Sequence, residues 1–145
     1  MIEKYKSKRN FGSTNEPEGE LKSSDKPIFV VQKHDASHLH FDLRLEMDGV
    51  LKSWAVPKEP PIKPGVKRLA VQTEDHPLDY ADFEGVIPEG NYGAGTVERW
   101  DAGLLKILER KDDRLVFELD GEKLRGEYVL VQFKGQPKNW LFFKR

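Results

Sequence analysis

Polar and apolar residues alternate without interruption between positions 38 and 46, where the sequence reads His-Leu-His-Phe-Asp-Leu-Arg-Leu-Glu. Because alternate side chains of an extended strand point to opposite faces, this pattern predicts a strand with one apolar and one polar face. The apolar face can join a hydrophobic core. The polar face presents imidazole, carboxylate and guanidinium groups, on His38, His40, Asp42, Arg44 and Glu46.

Further β-rich runs separated by turn residues lie on both sides of this strand. Asp48-Gly49 is the strongest hairpin signal in the chain, and residues 57–65 hold four prolines and must form a loop. Nothing longer than a turn or two shows helical periodicity, and the irregular stretch 76–95 has room for one helical turn. The predicted strands cover residues 28–33, 39–47, 50–56, 68–74, 96–101, 104–108, 115–119, 128–133 and 140–144.

Short strands at this spacing are typical of a barrel or a sandwich. We favour an all-β fold, a small closed or nearly closed β-barrel with at most short helical turns, whose inner face can hold a polar site. Residues 1–26 are rich in Lys, Ser, Gly, Glu and Pro. That composition predicts an irregular N-terminal arm, followed by a barrel domain over residues 27–145.

Composition narrows the choice of partners. A length of 145 residues suits one domain with a real core, and a formal net charge of −1 leaves no global basic field. A nucleic-acid partner therefore needs local positive charge. Two clusters offer it, although such runs are more often plain solvated surface: Lys4, Lys6, Lys8 and Arg9, and then Lys58, Lys63, Lys67 and Arg68.

Cysteine is absent, which excludes disulfides, a thiolate nucleophile and Cys-type zinc sites. Any metal must therefore bind His, Asp, Glu or backbone oxygen. No signal peptide is visible and no apolar run approaches membrane-spanning length, so we expect a soluble intracellular protein.

The polar face of the alternating strand is a candidate metal site. His40 and Asp42 lie two positions apart, about 7 Å at Cα, so both side chains can reach one ion. His34 is the nearest candidate for a third ligand if a tight connection turns the chain back. Two histidines and one aspartate leave coordination positions open, as a catalytic metal requires. The alternative is that these are ordinary polar residues of a half-exposed strand, and His38 fits a surface or supporting position better than a fourth ligand.

Basic and hydroxyl side chains near these ligands suggest a phosphate ester as substrate. A guanidinium such as that of Arg44 suits a phosphate by charge and by its planar fork of donors. If residues 68–76 stay extended, Arg68 and His76 share a face with Gln72 between them. A histidine with the ordinary pKa near 6.5 can donate a proton or a hydrogen bond to a phosphate oxygen, and Tyr80 offers a hydroxyl.

Each of these residues also has a plain structural interpretation. Arg44 can form an ion pair with Glu46 or a neighbour on the next strand, His76 can cap a turn before Pro77, and tyrosines in β proteins are more often half-buried packing groups. The glycine-rich segment 90–95 does not have the spacing of a nucleotide-binding fingerprint. We interpret it as a loop that leads into the next strand.

Several blocks of the sequence, in order and with matching spacing, resemble the 3′-phosphoesterase module of bacterial DNA ligase D, an enzyme of nonhomologous end joining. The likeness is strongest from about residue 8 to residue 101. The matching blocks are residues 32–37, 39–46, 51–58, 69–71, 74–85 and 87–95.

The resemblance implies a small β-barrel that depends on a divalent metal, typically Mn²⁺; mixed nitrogen and oxygen ligands also accept Zn²⁺ and Co²⁺. It implies a phosphodiesterase step that removes a terminal ribonucleoside and a phosphomonoesterase step that leaves a 3′-hydroxyl. By position, the family's metal ligands fall on His34, His40 and Asp42. Its catalytic and phosphate-binding groups fall on Arg44, His76 and Tyr80, with Gln32, Lys58 and Arg68 as supporting contacts.

The same resemblance extends into the N-terminal arm, which it implies contributes to the active site. Arg9, Asn10 and Glu16 stand where the family usually shows Arg, Asp and Glu. The asparagine at position 10 is a departure that we expect to weaken the diesterase step more than the monoesterase step.

The expected substrate is the 3′ end of DNA or of a DNA–RNA primer-template, and the expected protein is a cytoplasmic, nucleoid-associated monomer. It resembles a free-standing version of the module, with a separate DNA ligase, a polymerase or Ku as candidate partners and no membrane association. One alternative is an end-binding adaptor for a ligase that has lost turnover. Another is a cupin-like enzyme acting on a small molecule, against which the clustered cationic side chains argue.

Overall fold

The computed structural model describes residues 2–9, 16 and 26–145. The helices in this part are α1 (Glu3–Ser7) and one 3₁₀ helix (Leu78–Asp82). None of the described helices has the length or the apolar character needed to cross a bilayer. The strands are β1 (Ile28–Asp35), β2 (Leu39–Met47), β3 (Val50–Val56), β4 (Lys67–His76), β5 (Gly85–Ile87), β6 (Gly95–Lys111), β7 (Arg114–Asp120), β8 (Arg125–Gln132) and β9 (Asn139–Lys144).

Eight of these strands close into an antiparallel barrel. Hydrogen-bonded neighbours follow the order β1-β2-β3-β4-β9-β8-β7-β6, and pairing of β6 with β1 completes the ring. The short β5 adds to the start of β6. Asp48 and Gly49, both at positive φ, form the predicted hairpin turn between β2 and β3. The prediction of a mainly β protein built as a small closed barrel, with only short helical turns, is confirmed.

Apolar side chains fill the barrel interior. Phe41, Leu43 and Leu45 point inward from β2 and meet large side chains such as Phe117 and Phe142 from the opposite wall. An eight-stranded barrel is just wide enough for side chains to fill. The expectation of a polar site on the inner face is therefore wrong, because the polar side chains of β2 point outward.

A second apolar cluster covers part of the barrel's outer surface. Tyr5 of α1, Tyr80 of the 3₁₀ helix and Ile87 of β5 pack on outward-facing residues of β1 and β3, including Val30 and Leu51. This cover explains why β2 is buried on both faces from Phe41 to Met47. The polar face of β2 thus lies between the barrel wall and an outer layer.

Strand β6 differs from its prediction, since the structure has one strand of 17 residues where the sequence suggested two. Its first part pairs with β1 and β5, and its second part pairs with β7. Gly103, which we expected in a turn, instead permits close approach of two backbones. A Cβ at this position would collide with the carbonyl oxygen of Asp120.

Strand β4 contains a bulge that separates two predicted site residues. Ser53 of β3 pairs with Thr73, but Leu51 pairs with His76, so β4 holds one extra residue in between. Arg68 stays on the side of the inward-facing Ala70, whereas His76 points outward. The prediction that Arg68 and His76 share a face is wrong because the bulge reverses the alternation.

Most of the N-terminal arm predicted over residues 1–26 lies outside the described residues, and Asn10 is among those left out. The arm as a domain therefore stays a prediction. Its described part comprises residues 2–9, which include α1, together with Glu16 and Lys26.

The β7–β8 connection is held by one buried carboxylate. Asp101 of β6 is 5% exposed, and its oxygens accept hydrogen bonds from the backbone N–H groups of Glu122, Lys123 and Leu124 at 2.8–3.1 Å. Replacing Asp101 with Ala would leave these donors without an acceptor. Each buried donor left unsatisfied costs about 1–3 kcal/mol.

We expect Asp101→Ala to lower the free energy of unfolding by about 3 kcal/mol, as measured by urea denaturation. Asp112→Ala, which removes an exposed carboxylate from the β6–β7 turn, is the matched control and should change it by less than about 0.5 kcal/mol. Equal effects of the two substitutions would contradict this account of Asp101.

Candidate metal centre and anion pocket

The antiparallel pairing of β1 with β2 brings the predicted metal ligands together. His34 lies directly opposite His40, and Gln32 lies opposite Asp42. All four side chains project from the outer face, since the neighbouring Val31 and Leu43 point into the core. The chain turns back after His34 and places it against His40, as predicted.

Three ligand atoms converge at this point. His40 Nε2 lies 3.3 Å and His34 Nδ1 lies 3.6 Å from Asp42 Oδ2, and one donor atom from each residue falls within 4.8 Å of the others. The two imidazole centroids are 4.7 Å apart. Two nitrogen donors and one carboxylate oxygen at this spacing fit a divalent cation with further positions open.

Backbone carbonyls fix the tautomers of both histidines. His34 Nε2–H donates to the carbonyl of Gly93 at 2.7 Å, and His40 Nδ1–H donates to the carbonyl of His38 at 3.1 Å. The lone pairs therefore lie on His34 Nδ1 and His40 Nε2, the nitrogens that face Asp42. The ring of His38 itself is exposed.

The carboxylate of this group is strongly held in its charged form. Burial favours the neutral acid, but the charge of Arg44 and the two imidazoles that face the carboxylate hold the pKa of Asp42 far below its usual range. When His40 is protonated, its Nε2–H can donate to Asp42, and this hydrogen bond raises the pKa of His40. A metal bound here would meet an ionised carboxylate and would compete with a proton only at imidazole.

Arg44 is fixed beside the candidate metal ligands. Its Nε donates to Gln32 Oε1 at 2.6 Å, its Nη1 donates to Ser53 Oγ at 2.8 Å, and its Nη2 lies 3.5 Å from Asp42 Oδ2. The guanidinium also lies over the ring of Tyr80, at 4.9 Å from the centroid. These contacts hold the positively charged guanidinium of Arg44 in one position.

Gln32 supports Arg44 from behind. Its side chain is fully buried, and its amide donates to the carbonyls of Tyr80 at 2.8 Å and Phe83 at 3.2 Å. It thereby links the 3₁₀ helix to the guanidinium that it orients. Gln32 does not line the pocket in which Arg44 is found.

His76 is a neutral imidazole between two guanidinium groups. Its Nδ1–H donates to the carbonyl of Glu74 at 2.9 Å, and its Nε2 accepts from Arg9 Nη2 at 3.3 Å. Burial, together with the charges of Arg44 and Arg9, holds the pKa of His76 well below its usual range. The expectation that His76 keeps an ordinary pKa near 6.5, suited to proton donation, is wrong for this reason.

The described part of the N-terminal arm docks on the same network. Arg9 Nε donates to Glu16 Oε2 at 2.9 Å and its Nη1 donates to Glu74 Oε1 at 3.1 Å. The hydroxyl of Tyr80 donates to the same oxygen of Glu16 at 3.0 Å. Arg9 and Glu16 thus join the 3₁₀ helix to β4, and both are buried at the side chain.

A depression of about 260 Å³ opens over these groups. Seven of the predicted site residues line it, and Gln32 and Glu16 support it from behind. Lys58 does not line it but is exposed in the loop after β3, and Arg68 lies elsewhere, donating from Nε to the carbonyl of Glu59 at 2.8 Å. The seven that line it are Arg9, His34, His40, Asp42, Arg44, His76 and Tyr80.

Sequence reasoning missed several residues of this pocket, among them Glu74, Tyr92 and Gly93. Glu74 pairs with Arg9, Gly93 supplies the carbonyl that orients His34, and Tyr92 lines the rim. Burial favours the neutral form of Glu74, but a backbone hydrogen bond and Arg9 lower its pKa. The glycines at 90, 93 and 95 predicted a loop that leads into the next strand, but they did not indicate what this loop contacts.

Comparison with known proteins gives a consistent result. A family model described as the DNA Ligase D 3′-phosphoesterase domain matches residues 32–132. The chain is 51% identical over 153 aligned residues to the multifunctional non-homologous end joining protein LigD of Pseudomonas aeruginosa, covering 99% of this chain and 18% of the relative. It is 45% identical over 150 residues to the protein of that name from Mycolicibacterium smegmatis, covering 94% and 19%.

The multifunctional non-homologous end joining DNA repair protein LigD of Mycobacterium tuberculosis is 43% identical over 146 residues, covering 97% of this chain and 19% of the relative. The chain therefore spans about a fifth of the length of these relatives.

The low pKa of His76 makes a prediction about stability and pH. Below an unfolded-state pKa of about 6.5, the unfolded chain binds a proton at His76 that the folded protein does not bind. The stability contributed by this residue is therefore present above that pH and is lost on acidification. We expect a loss of about 2 kcal/mol between about pH 7 and pH 5, and His76→Gln should remove this component.

Urea denaturation of chelator-treated protein across this pH range measures the effect. His38→Gln, which replaces an exposed imidazole, should keep the wild-type pH dependence. If His76→Gln and the wild type lost stability in parallel, His76 would not be the neutral group inferred here.

Proposed function

The chain belongs to the family of DNA ligase D 3′-phosphoesterase domains, and from this membership we propose that it is a metal-dependent phosphoesterase that repairs 3′ ends of nucleic acids. In this proposal a phosphodiesterase step removes a 3′-terminal ribonucleoside. A phosphomonoesterase step then removes the remaining 3′-phosphate and leaves a 3′-hydroxyl for a polymerase or ligase. The substrate is the 3′ end of DNA or of a DNA–RNA primer-template in nonhomologous end joining.

The observation that carries the proposal is a three-residue metal-ligand group and a fixed guanidinium in one depression. His34, His40 and Asp42 would hold the cation, for which we propose Mn²⁺, with Co²⁺ or Zn²⁺ as substitutes. When bound, such a cation supplies Lewis-acid polarisation of a phosphate oxygen. Because Asp42 is already ionised, the site has the charge that a divalent cation requires.

Arg44 is the proposed anion-binding group. Its Nε and Nη1 are committed to Gln32 and Ser53, so the guanidinium does not have to reorganise when charge develops on a phosphate oxygen. Tyr80 acts through Arg44, since its ring lies below the guanidinium and its hydroxyl is engaged by Glu16.

The lowered pKa of His76 argues against a role as a proton donor. With its pKa lowered, it holds no extra proton to give at neutral pH. It accepts from Arg9 through Nε2 and packs against Arg44, whose Nη1 lies 3.2 Å from Nδ1, so it separates these two positive groups. We therefore propose that His76 positions the anion-binding arginines rather than acting as a general acid.

The N-terminal arm is proposed to complete the pocket through Arg9 and Glu16. Arg9 lines the depression and is held by two carboxylates, those of Glu16 and Glu74. The exposed Lys58 is free to meet the sugar-phosphate backbone outside the pocket. Arg68 does not enter this proposal because it lies away from the depression.

The chain's action within repair is also a proposal. Its relatives are named as multifunctional end-joining proteins of which it spans about a fifth. We propose that the 3′-hydroxyl that it produces is used by a ligase or polymerase activity, in the same or in a separate polypeptide, at DNA in the cytoplasm. Ku is a further candidate partner.

Removal of a metal ligand tests the proposal directly. We expect His40→Ala and Asp42→Ala each to lower phosphate release from a 3′-phosphate oligonucleotide with Mn²⁺ by about 100- to 1000-fold. Isothermal titration with Mn²⁺ should show the loss of one site in each variant. Glu98→Ala, which removes an exposed carboxylate from β6, is the matched control and should retain both properties.

The outcome also separates an enzyme from an end-binding adaptor. A wild-type protein that binds the oligonucleotide and Mn²⁺ but releases no phosphate would support the adaptor and refute the proposed activity. Losses of less than about tenfold in both variants would refute the assignment of the ligands.

A further inference from the structure

Tyr92 stands at the rim of the depression, on the loop that joins β5 to β6. The backbone of this loop turns at Gly90 and Gly93, both at positive φ. The side chain of Tyr92 lines the depression and is 47% exposed. Single exposed aromatic side chains are common, so what distinguishes Tyr92 is its position at the rim of a polar pocket and not its exposure alone.

Two positive groups hold the ring in place. Lys8 Nζ lies 3.3 Å from the Tyr92 hydroxyl and 4.6 Å from the ring centroid, and Arg9 Cζ lies 5.2 Å from that centroid. Lys8 is itself anchored by Glu74, with its Nζ 3.3 Å from Oε2. These cation–π contacts restrain an exposed side chain, which lowers the entropy lost when a ligand binds to it.

The ring is tied to the metal-ligand group through the backbone. Gly93, the residue after Tyr92, accepts the hydrogen bond from His34 Nε2 at 2.7 Å. The same short loop therefore sets the orientation of a ligand and the position of the aromatic ring. His34 and Tyr92 line the same depression, so a molecule that fills the depression from His34 to the rim reaches the ring.

The size of the depression indicates which part of a nucleotide reaches the ring. Pockets that enclose a whole drug-sized ligand measure about 300–1,000 Å³, and this one measures about 260 Å³. It can take a phosphoryl group and its sugar, but the attached base is left at the rim. A flat, restrained aromatic side chain at a rim is the surface on which nucleobases stack.

We propose that Tyr92 forms a nucleobase subsite, on which the terminal base of the strand stacks while its 3′-phosphate lies at the metal centre. This inference rests on the proposed function. Stacking on a ring requires no particular base, so the subsite accepts all four bases. Its contribution falls on substrate binding and not on the chemical step, because the ring lies outside the group of phosphate-binding residues.

A fluorescent base at the 3′ end tests the stacking without relying on turnover. An oligonucleotide with 2-aminopurine in the terminal nucleotide and a 3′-phosphate is titrated with chelator-treated protein. We expect quenching by the wild type and by Tyr92→Phe, which keeps the ring, and no quenching by Tyr92→Leu. Tyr92→Trp should quench at least as strongly as the wild type.

Steady-state kinetics with Mn²⁺ give the second readout. Tyr92→Leu should raise KM for a 3′-phosphate oligonucleotide by about 5- to 100-fold and leave kcat within about twofold. It should have no effect on a matched oligonucleotide whose terminal nucleotide is abasic. Val86→Ala, which shortens a side chain that is 61% exposed on the neighbouring β5, is the control and should behave as the wild type.

The outcomes distinguish this inference from the proposed function. If the wild type releases no phosphate from either oligonucleotide, the proposed function fails, and the fluorescence titration alone decides whether the ring stacks on a base. If the wild type is active but Tyr92→Leu impairs both oligonucleotides equally, the nucleobase subsite is overturned. The ring would then serve only to hold Lys8 and Arg9.

Discussion

The site depends above all on the pairing register between β1 and β2. With His34 opposite His40 and Val31 opposite Leu43, one set of positions faces the core and the other holds the candidate metal ligands. A slip of one residue would exchange these two sets and place charged groups in the apolar interior. Because β1 also pairs with β6 to close the barrel, the contacts that fix the barrel also fix the metal-ligand group.

Closure of the barrel explains why the chemistry lies outside it. Apolar side chains from all eight strands fill the interior. The polar face of β2 therefore lies on the outside of the barrel, where only a second layer of residues can shield it from solvent. Tyr5 of α1 and Tyr80 of the 3₁₀ helix belong to that layer. They shield charges on the outer wall without surrounding them completely, which leaves the depression open on one side.

The charges beneath this layer are matched in detail. Two guanidiniums, of Arg9 and Arg44, face three carboxylates, of Glu16, Asp42 and Glu74. Buried ion pairs add little net stability, but removal of one partner is costly because it leaves the other uncompensated. The network therefore specifies where the arm and the 3₁₀ helix dock more than it stabilises the fold.

The sequence was most informative where local geometry decides the outcome. Alternation over residues 38–46 fixed which side chains of β2 share a face, and the tight connection after His34 predicted its position opposite His40. The sequence predicted that the apolar face of β2 can join the core, but it did not reveal that residues 78–87 cover the polar face from outside. Nor did it reveal the bulge in β4, which separates Arg68 from His76 by one extra residue.

Backbone contacts were beyond reach of the sequence for a related reason. The backbone carbonyls of His38 and Gly93 determine the tautomers of His40 and His34. Because every residue type has a backbone carbonyl, the sequence does not show which ones make these contacts. Only the fold places these particular groups against the imidazoles. The glycines of the loop allow its backbone to come close to His34, but their spacing in the sequence does not indicate that His34 is the side chain they contact.

The geometry of Arg44 connects the metal ligands to the proposed anion site. Its Nε and Nη1 make short hydrogen bonds of 2.6 and 2.8 Å, whereas its Nη2 has only a 3.5 Å contact with Asp42. The less committed end of the fork therefore points toward the carboxylate that would bind the cation. A phosphate oxygen held there would meet a fixed guanidinium and a metal at once, without either charge having to move, which is the arrangement that stabilises developing negative charge.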